Sequence, residues 1–194
     1  MDAPLVRKAR RGNAAAYGEL ARRHQHAALR VATVVLGTSE GADDVVQQAL
    51  ERAWQAIARF DEERAFRPWL LRIVANAARN SRRSRGRFAR LAVRAASQAG
   101  TGGNGAANPE DVVVADSERQ RLVAVLNRLR ADDRLIIALR HFEQLTEREI
   151  ADVLDIRPGT VKSRLSRAMQ RLRTAYDQAG APAVEPDEEV TLDG

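Results

Sequence analysis

Residues 151–173, ADVLDIRPGTVKSRLSRAMQRLR, carry six Arg or Lys after Ile156 and no carboxylate after Asp155. Just upstream, Thr146 followed by Glu149 has the spacing of a capping box. It opens a short helix, TEREIADVL, whose Ile150, Val153 and Leu154 can pack inward. DIRPG then breaks the chain, and Pro158 with Gly159 starts a second helix. Helix, tight turn, helix over this span is the layout of a helix-turn-helix unit.

The second helix separates two stripes. Val161, Leu165, Ala168 and Leu172 are spaced four, three, four and face a core. Thr160, Arg164, Arg167 and Arg171 repeat that spacing one position earlier, about 100° around the axis, with Lys162 and Ser163 beside them. Guanidinium forks and hydroxyls on one side suit guanine edges and phosphates in a major groove. The competing reading is a solvated basic face on an ordinary surface helix; the capping box, the tight turn and the missing acids favour the groove.

The rest of the chain is compatible with that partner. Of 194 residues, 44% are hydrophobic, 30% charged and only 4% aromatic, with few strand-favouring runs, so amphipathic helices are expected throughout. There is no cysteine, which excludes disulfides and thiolate metal sites. The start, MDAPLVRKARRG, lacks the apolar core of a signal peptide and no run approaches a membrane span, so a cytoplasmic location is the default expectation. The net charge of +6 is unevenly placed. Residues 79–90, RNSRRSRGRFAR, carry six Arg and no acid, while six acids and no Lys or Arg follow Arg173. Two basic patches point to a polyanion, with nucleic acid foremost.

Gly, Asn and Pro punctuate residues 97–109, SQAGTGGNGAANP, which hold almost no bulky side chain and mark a boundary between two helical units. A coil of this composition about 20 residues long spans roughly 25 Å, enough to let the units sit apart. Before it, three main helices are expected: about 14 to 36, ending near Gly37; from Ser39 or Gly41 to Phe60; and from about Arg67 to about Arg85. After it, Leu122, Val125, Leu126 and Leu129 mark one helix and Leu135, Ile136, Leu139 and Phe142 the next. On the third helix Trp69, Ile73, Asn76, Asn80 and Arg83 line one stripe. Amides beside an aromatic ring and an Arg cluster are the combination that single-stranded DNA asks for.

EIADVLDIRPGTVKSRLSRAMQRLR resembles the C-terminal region of bacterial sigma factors of the extracytoplasmic-function group, with GTVKSRLSRA the specific part. Residues 43–60, DDVVQQALERAWQAIARF, and 66–80, FRPWLLRIVANAARN, resemble the other defining part of that group, in the right order. The resemblance implies an all-α fold of two small helical domains joined by a flexible linker, the second containing the helix-turn-helix. Residues 1–90 would be the region 2 domain, 91–116 the linker and 117–176 the region 4 domain; residues 177–194 go beyond the family pattern, and their composition reads as an acidic, disordered tail. Core RNA polymerase and promoter DNA are the implied partners, with an anti-sigma protein as a third in many members; no cofactor, metal or catalysis is implied.

By resemblance, Asp44, Val45, Gln47, Gln48, Leu50, Glu51 and Trp54 meet the polymerase. Gln48 departs from the acidic residue usual there. The resemblance assigns Phe60, Trp69, Asn76, Asn80 and Arg83 to the promoter minus-10 element, and Arg157, Thr160, Lys162, Ser163, Arg164, Arg167 and Arg171 to the minus-35 element. Residues 42–63 hold six acids against Arg52 and Arg59, a balance that avoids DNA and favours a basic protein surface. Two other classes fit the residues less well. A stand-alone repressor or activator would need a dimerising or effector-binding first half, which a Trp, Asn and Arg stripe does not suggest. An enzyme would need a site, and the three His and the Gly cluster supply neither metal-ligand spacing nor a phosphate loop.

Overall fold

The computed structural model describes residues 2–98 and 117–180, and these form helices with no strand among them. They are α1 (Ala3–Arg10), α2 (Ala14–Leu36), α3 (Ala42–Ala56), α4 (Phe66–Gln98), α5 (Ser117–Arg128), α6 (Ala131–His141), α7 (Glu147–Leu154) and α8 (Pro158–Gly180), with a 3-10 turn at Ile57–Arg59. The fold is all-α, with two helical domains, α1 to α4 and α5 to α8. Most of the expected linker, residues 99–116, and most of the expected tail, residues 181–194, lie outside the described residues.

In the first domain α2 starts where the Asn13 side chain accepts the Ala16 N–H at 2.8 Å, and stops at Gly37, whose φ of +84° only glycine adopts without strain. Its inner face carries Leu20, Ala28, Val31, Ala32 and Val35, all buried. These pack on Val46, Ala49 and Ala53 of α3 and on Leu70, Leu71, Val74 and Ala78 of α4. Each fully buried Leu or Val contributes roughly 1.5–3 kcal/mol, and the alanines between them let the backbones approach.

Two elements differ from the sequence reading. α1 was not expected: eight residues with three cations offer too short a periodic run, yet Val6 and Ala9 bury completely. Its ends are held by a contact of Asp2 with His24 Nε2 at 2.7 Å and by an ion pair of Arg10 with Glu62. α4 continues past Arg85 to Gln98, because Arg and Ala are good helix formers and the lone Gly86 costs only about 1 kcal/mol.

In the second domain the capping box forms. The Thr146 N–H donates to the Glu149 carboxylate at 2.8 Å and the Glu149 N–H donates to Thr146 Oγ1 at 3.3 Å. α7 ends at Asp155 in the left-handed conformation, φ 57° and ψ 50°, which a short polar side chain tolerates. α8 leaves from there. Val161 and Ala168 are fully buried, and Leu165 and Leu172 are half-buried against the same core. The α6–α7 connection turns on Gln144, φ 52°, which points Glu143 inward and leaves Phe142, whose spacing grouped it with Leu135, Ile136 and Leu139, 60% exposed.

The domains are in contact, α2 on α6 and α4 on α7. The sequence allowed them to sit apart; buried polar groups hold them together. Glu143, 1% exposed, accepts from Arg30 Nε at 2.7 Å and pairs with Arg67, whose second nitrogen donates to the Glu143 carbonyl at 3.1 Å. Arg134 is buried too. It donates to Val34 O at 2.8 Å across the seam, and to Asn127 O and Leu129 O, both at 3.0 Å, within its own domain. Arg72–Asp155 at 2.8 Å and Arg79–Asp132 at 3.2 Å extend the seam along α4.

Candidate nucleic-acid and polymerase interfaces

α8 presents Lys162, Ser163, Arg164 and Arg167 to solvent, as does the preceding turn with Arg157, and Thr160 is half-buried at the first turn of the helix. Burial of Val161 and Ala168 fixes the rotation of the helix, so the basic stripe points outward. Ser163 Oγ donates to Thr160 O at 3.1 Å, and Arg167 Nε donates to Ser163 O at 3.1 Å, which lays that side chain along the helix. Among the described residues Arg164 has no carboxylate partner. Arg171 is different. Its Nη1 lies 3.0 and 3.1 Å from the two oxygens of the buried Asp133, which Arg130 also meets at 3.3 Å, so in this structure Arg171 fastens α8 to α6.

On α4, Asn76, Asn80 and Arg83 are exposed and Trp69 and Ile73 half-buried, all on the expected stripe. Asn76 Oδ1 accepts from Arg79 at 3.2 Å. Phe60 breaks the expectation of a DNA-facing ring: it is 3% exposed. Its centroid lies 4.8 Å from Trp69 and 5.9 Å from Phe66, in an aromatic cluster under the 61–65 loop. A large apolar ring at the end of a 3-10 turn gains more from that cluster than from water. The loop itself, Asp61 to Ala65, is exposed.

Of the expected polymerase contacts, Asp44, Gln47, Gln48 and Glu51 are exposed and Leu50 and Trp54 half-buried. Val45 is 3% exposed and belongs to the core, since α3 turns that position toward the interior. Leu50 and Trp54 form one wall of a groove of about 610 Å³ whose other wall is α2. Tyr17 closes its floor, its ring 5.0 Å from Trp54 and its hydroxyl donating to Leu50 O at 2.5 Å. Burial pushes the Tyr17 hydroxyl up to about 12, partly offset by the Trp54 backbone. Acids Asp43 and Glu51 rim this apolar floor, which fits a basic protein surface presenting apolar side chains.

Residues 20–88 match the family of sigma-70 region 2, and residues 119–172 that of sigma-70 region 4. The ECF RNA polymerase sigma-E factor of Escherichia coli (strain K12) is 33% identical over 190 residues, covering 94% of this chain and 96% of that protein. This chain belongs to the extracytoplasmic-function sigma factors. The RNA polymerase sigma factor NccH of Alcaligenes xylosoxydans xylosoxydans is 34% identical over 89% of this chain and 92% of its own length. Among solved structures, CnrH in complex with the cytosolic domain of CnrY matches with a TM-score of 0.66 at 31% identity, covering 91% of this chain and 97% of CnrH. The sigma factor RpoE in complex with the anti-sigma factor NepR from Bartonella quintana matches with a TM-score of 0.59 at 28% identity, covering 78% and 90%.

The protein is thus an alternative sigma factor, which binds core RNA polymerase and directs it to promoters; the family is one of transcription initiation factors rather than catalysts. No helix among the described residues is long and apolar enough to cross a membrane. Two features of this sigma factor escaped the sequence reading. The α2 wall of the groove was signalled only by Ala14, Gly18 and Ala21, small residues spaced four and three. The seam partner Glu143 looked like one more loop acid, because its meaning depends on Arg30 and Arg67, 113 and 76 residues away.

Proposed function

We propose a division of labour among three surfaces of the sigma factor. The groove between α2 and α3, with Gln47, Leu50, Glu51 and Trp54 on its α3 wall, docks on core polymerase. The exposed loop at 61–65 and the Trp69, Asn76, Asn80 and Arg83 stripe of α4 meet the minus-10 element. There, capturing a flipped base offsets the few kcal/mol of stacking lost on melting. Arg157, Lys162, Ser163, Arg164 and Arg167 of α8 meet the minus-35 element, with Thr160 at the helix N-terminus placed for a phosphate. The protein works where core polymerase works, in the cytoplasm.

The observation that carries this reading is the outward stripe of α8, set in rotation by Val161 and Ala168 and held behind a fully formed capping box. By their names the two elements lie about 25 base pairs apart, roughly 85 Å at ~3.4 Å per pair. The Arg72–Asp155 pair ties α4 to the turn that leads into α8, so engaging both elements requires the seam to open. Run-off transcription with core polymerase lacking any other sigma factor, over a library of promoter fragments, tests the reading. Initiation that depends on this chain and yields two separated motifs is expected; duplex binding without any redirection of polymerase would replace it with a stand-alone regulator.

A further inference from the structure

Two adjoining cavities, of about 440 and about 1000 Å³, run between α4, α6 and α8 and share Arg79, Arg130 and Asp132 as lining. Together their walls hold nine arginines against Asp132 and Asp133. α4 supplies Arg82, Arg83, Arg85 and Arg87, and α8 supplies Arg164, Arg167 and Arg171. Asp133 is already committed to Arg130 and Arg171, and Asp132 to Arg79. Among the described residues the cleft therefore carries a large uncompensated positive charge, built from the two helices that present the DNA-reading stripes. Burial and the approach of Arg82 already hold the Arg134 guanidinium below its ordinary value. Like charges gathered this closely favour an anionic occupant.

The chain supplies one. Residues 181–194, APAVEPDEEVTLDG, contain Glu185, Asp187, Glu188, Glu189 and Asp193 and no Lys or Arg, and they continue directly from α8. Gly180 stands nine residues beyond Arg171, about 14 Å along the helix at ~1.5 Å per residue. Fourteen residues can extend to roughly 46–50 Å. The five carboxylates can thus turn back along α8 and reach both walls.

We infer that the acidic tail, residues 181–194, docks in the arginine cleft between α4 and α8, occupying the groups that otherwise meet promoter phosphates. The tail then acts as a built-in competitor of DNA. It lowers binding to any duplex in the free sigma factor, and is displaced when polymerase and promoter separate the domains. The competition rests on the function proposed above; the docking does not.

Because the chain has no cysteine, spin labels can be placed uniquely at Ser84→Cys on α4 and Thr191→Cys in the tail of the full-length protein. Pulsed electron paramagnetic resonance should give a short, narrow distance distribution that broadens and lengthens when Glu185, Glu188 and Glu189 become Gln and Asp187 and Asp193 become Asn. The same distribution with and without the five charges would overturn the docking, and would leave the linker or nothing as the occupant. In parallel, the five-fold amide variant should bind a labelled random duplex about tenfold more tightly at low salt, with the gap closing as salt rises. Unchanged affinity alongside a charge-dependent short distance would overturn the competition alone. If neither form binds duplex DNA while the short distance persists, the tail docks, and the assignment of these arginines to DNA fails instead.

Discussion

Arg164 shows what one side chain can be asked. It sits on the outward face of α8 with no carboxylate partner among the described residues, so its five donors are available to a base edge or a phosphate. Arg164→Ala should cost about 1–3 kcal/mol of minus-35 affinity if it reads a base. Titration against matched and scrambled duplexes decides the point, since an equal loss on both would make it a phosphate contact. Arg171 had the same claim from spacing alone, and the structure instead pairs it with Asp133, a partner on another helix that no local pattern discloses. Tyr17 gives a test in pH. Its folded-state value of about 12 lies above the unfolded value near 10, so its contribution to stability is complete below pH 10 and is lost as pH rises through 12. Denaturant midpoints should fall faster across that window for the native chain than for Tyr17→Phe; parallel curves would acquit Tyr17.

Among the elements, α7 is the one whose local sequence is most decisive. Eight residues are too few to be helical in isolation, and the reciprocal Thr146–Glu149 bonds satisfy donors that its first turn would otherwise leave unpaired. Thr146→Ala should lower the stability of the C-terminal domain by about 1 kcal/mol. A thermal melt followed by circular dichroism reads this directly, and a shift below a degree would mean that packing of Ile150 and Val153 suffices. The helix-turn-helix was legible because cap, turn and two stripes all lie within thirty residues of one another. α2, α3 and the first half of α4 were legible for the same reason, long amphipathic periods ending in a glycine or an aromatic. α1 was not, since its two buried residues form no period. Nor was the depth of Phe60 and Val45, because being next to an exposed loop or an acidic face says nothing of which way a side chain turns.

The whole molecule is a pair of domains closed on a seam centred on the buried Glu143 and Arg134, and the function proposed above calls for an open working form. Glu143→Gln removes the charge that Arg30 and Arg67 share. The hydrogen bond that carboxylate accepts holds the Arg30 guanidinium above its ordinary value. The variant should lose about 1–3 kcal/mol of seam stability. Single-molecule energy transfer between dyes on α2 and α8 should show a larger open fraction for it, and full opening for either protein when core polymerase and promoter are added. A closed population equal to that of the parent would shift the weight of the seam to Arg134. That arginine works in another way: its guanidinium grips the backbone carbonyls of Val34, Asn127 and Leu129, and packs so close to Gly37 that a methyl group there would stand only 3.1 Å from its Nη2. Every residue type offers a carbonyl. Substitutions accumulating in the side chains of α2 therefore leave this fastening intact, while a change at position 134 or 37 releases it in one step, so this half of the seam is inherited through two positions, whereas the Glu143 cluster depends on three side chains at once.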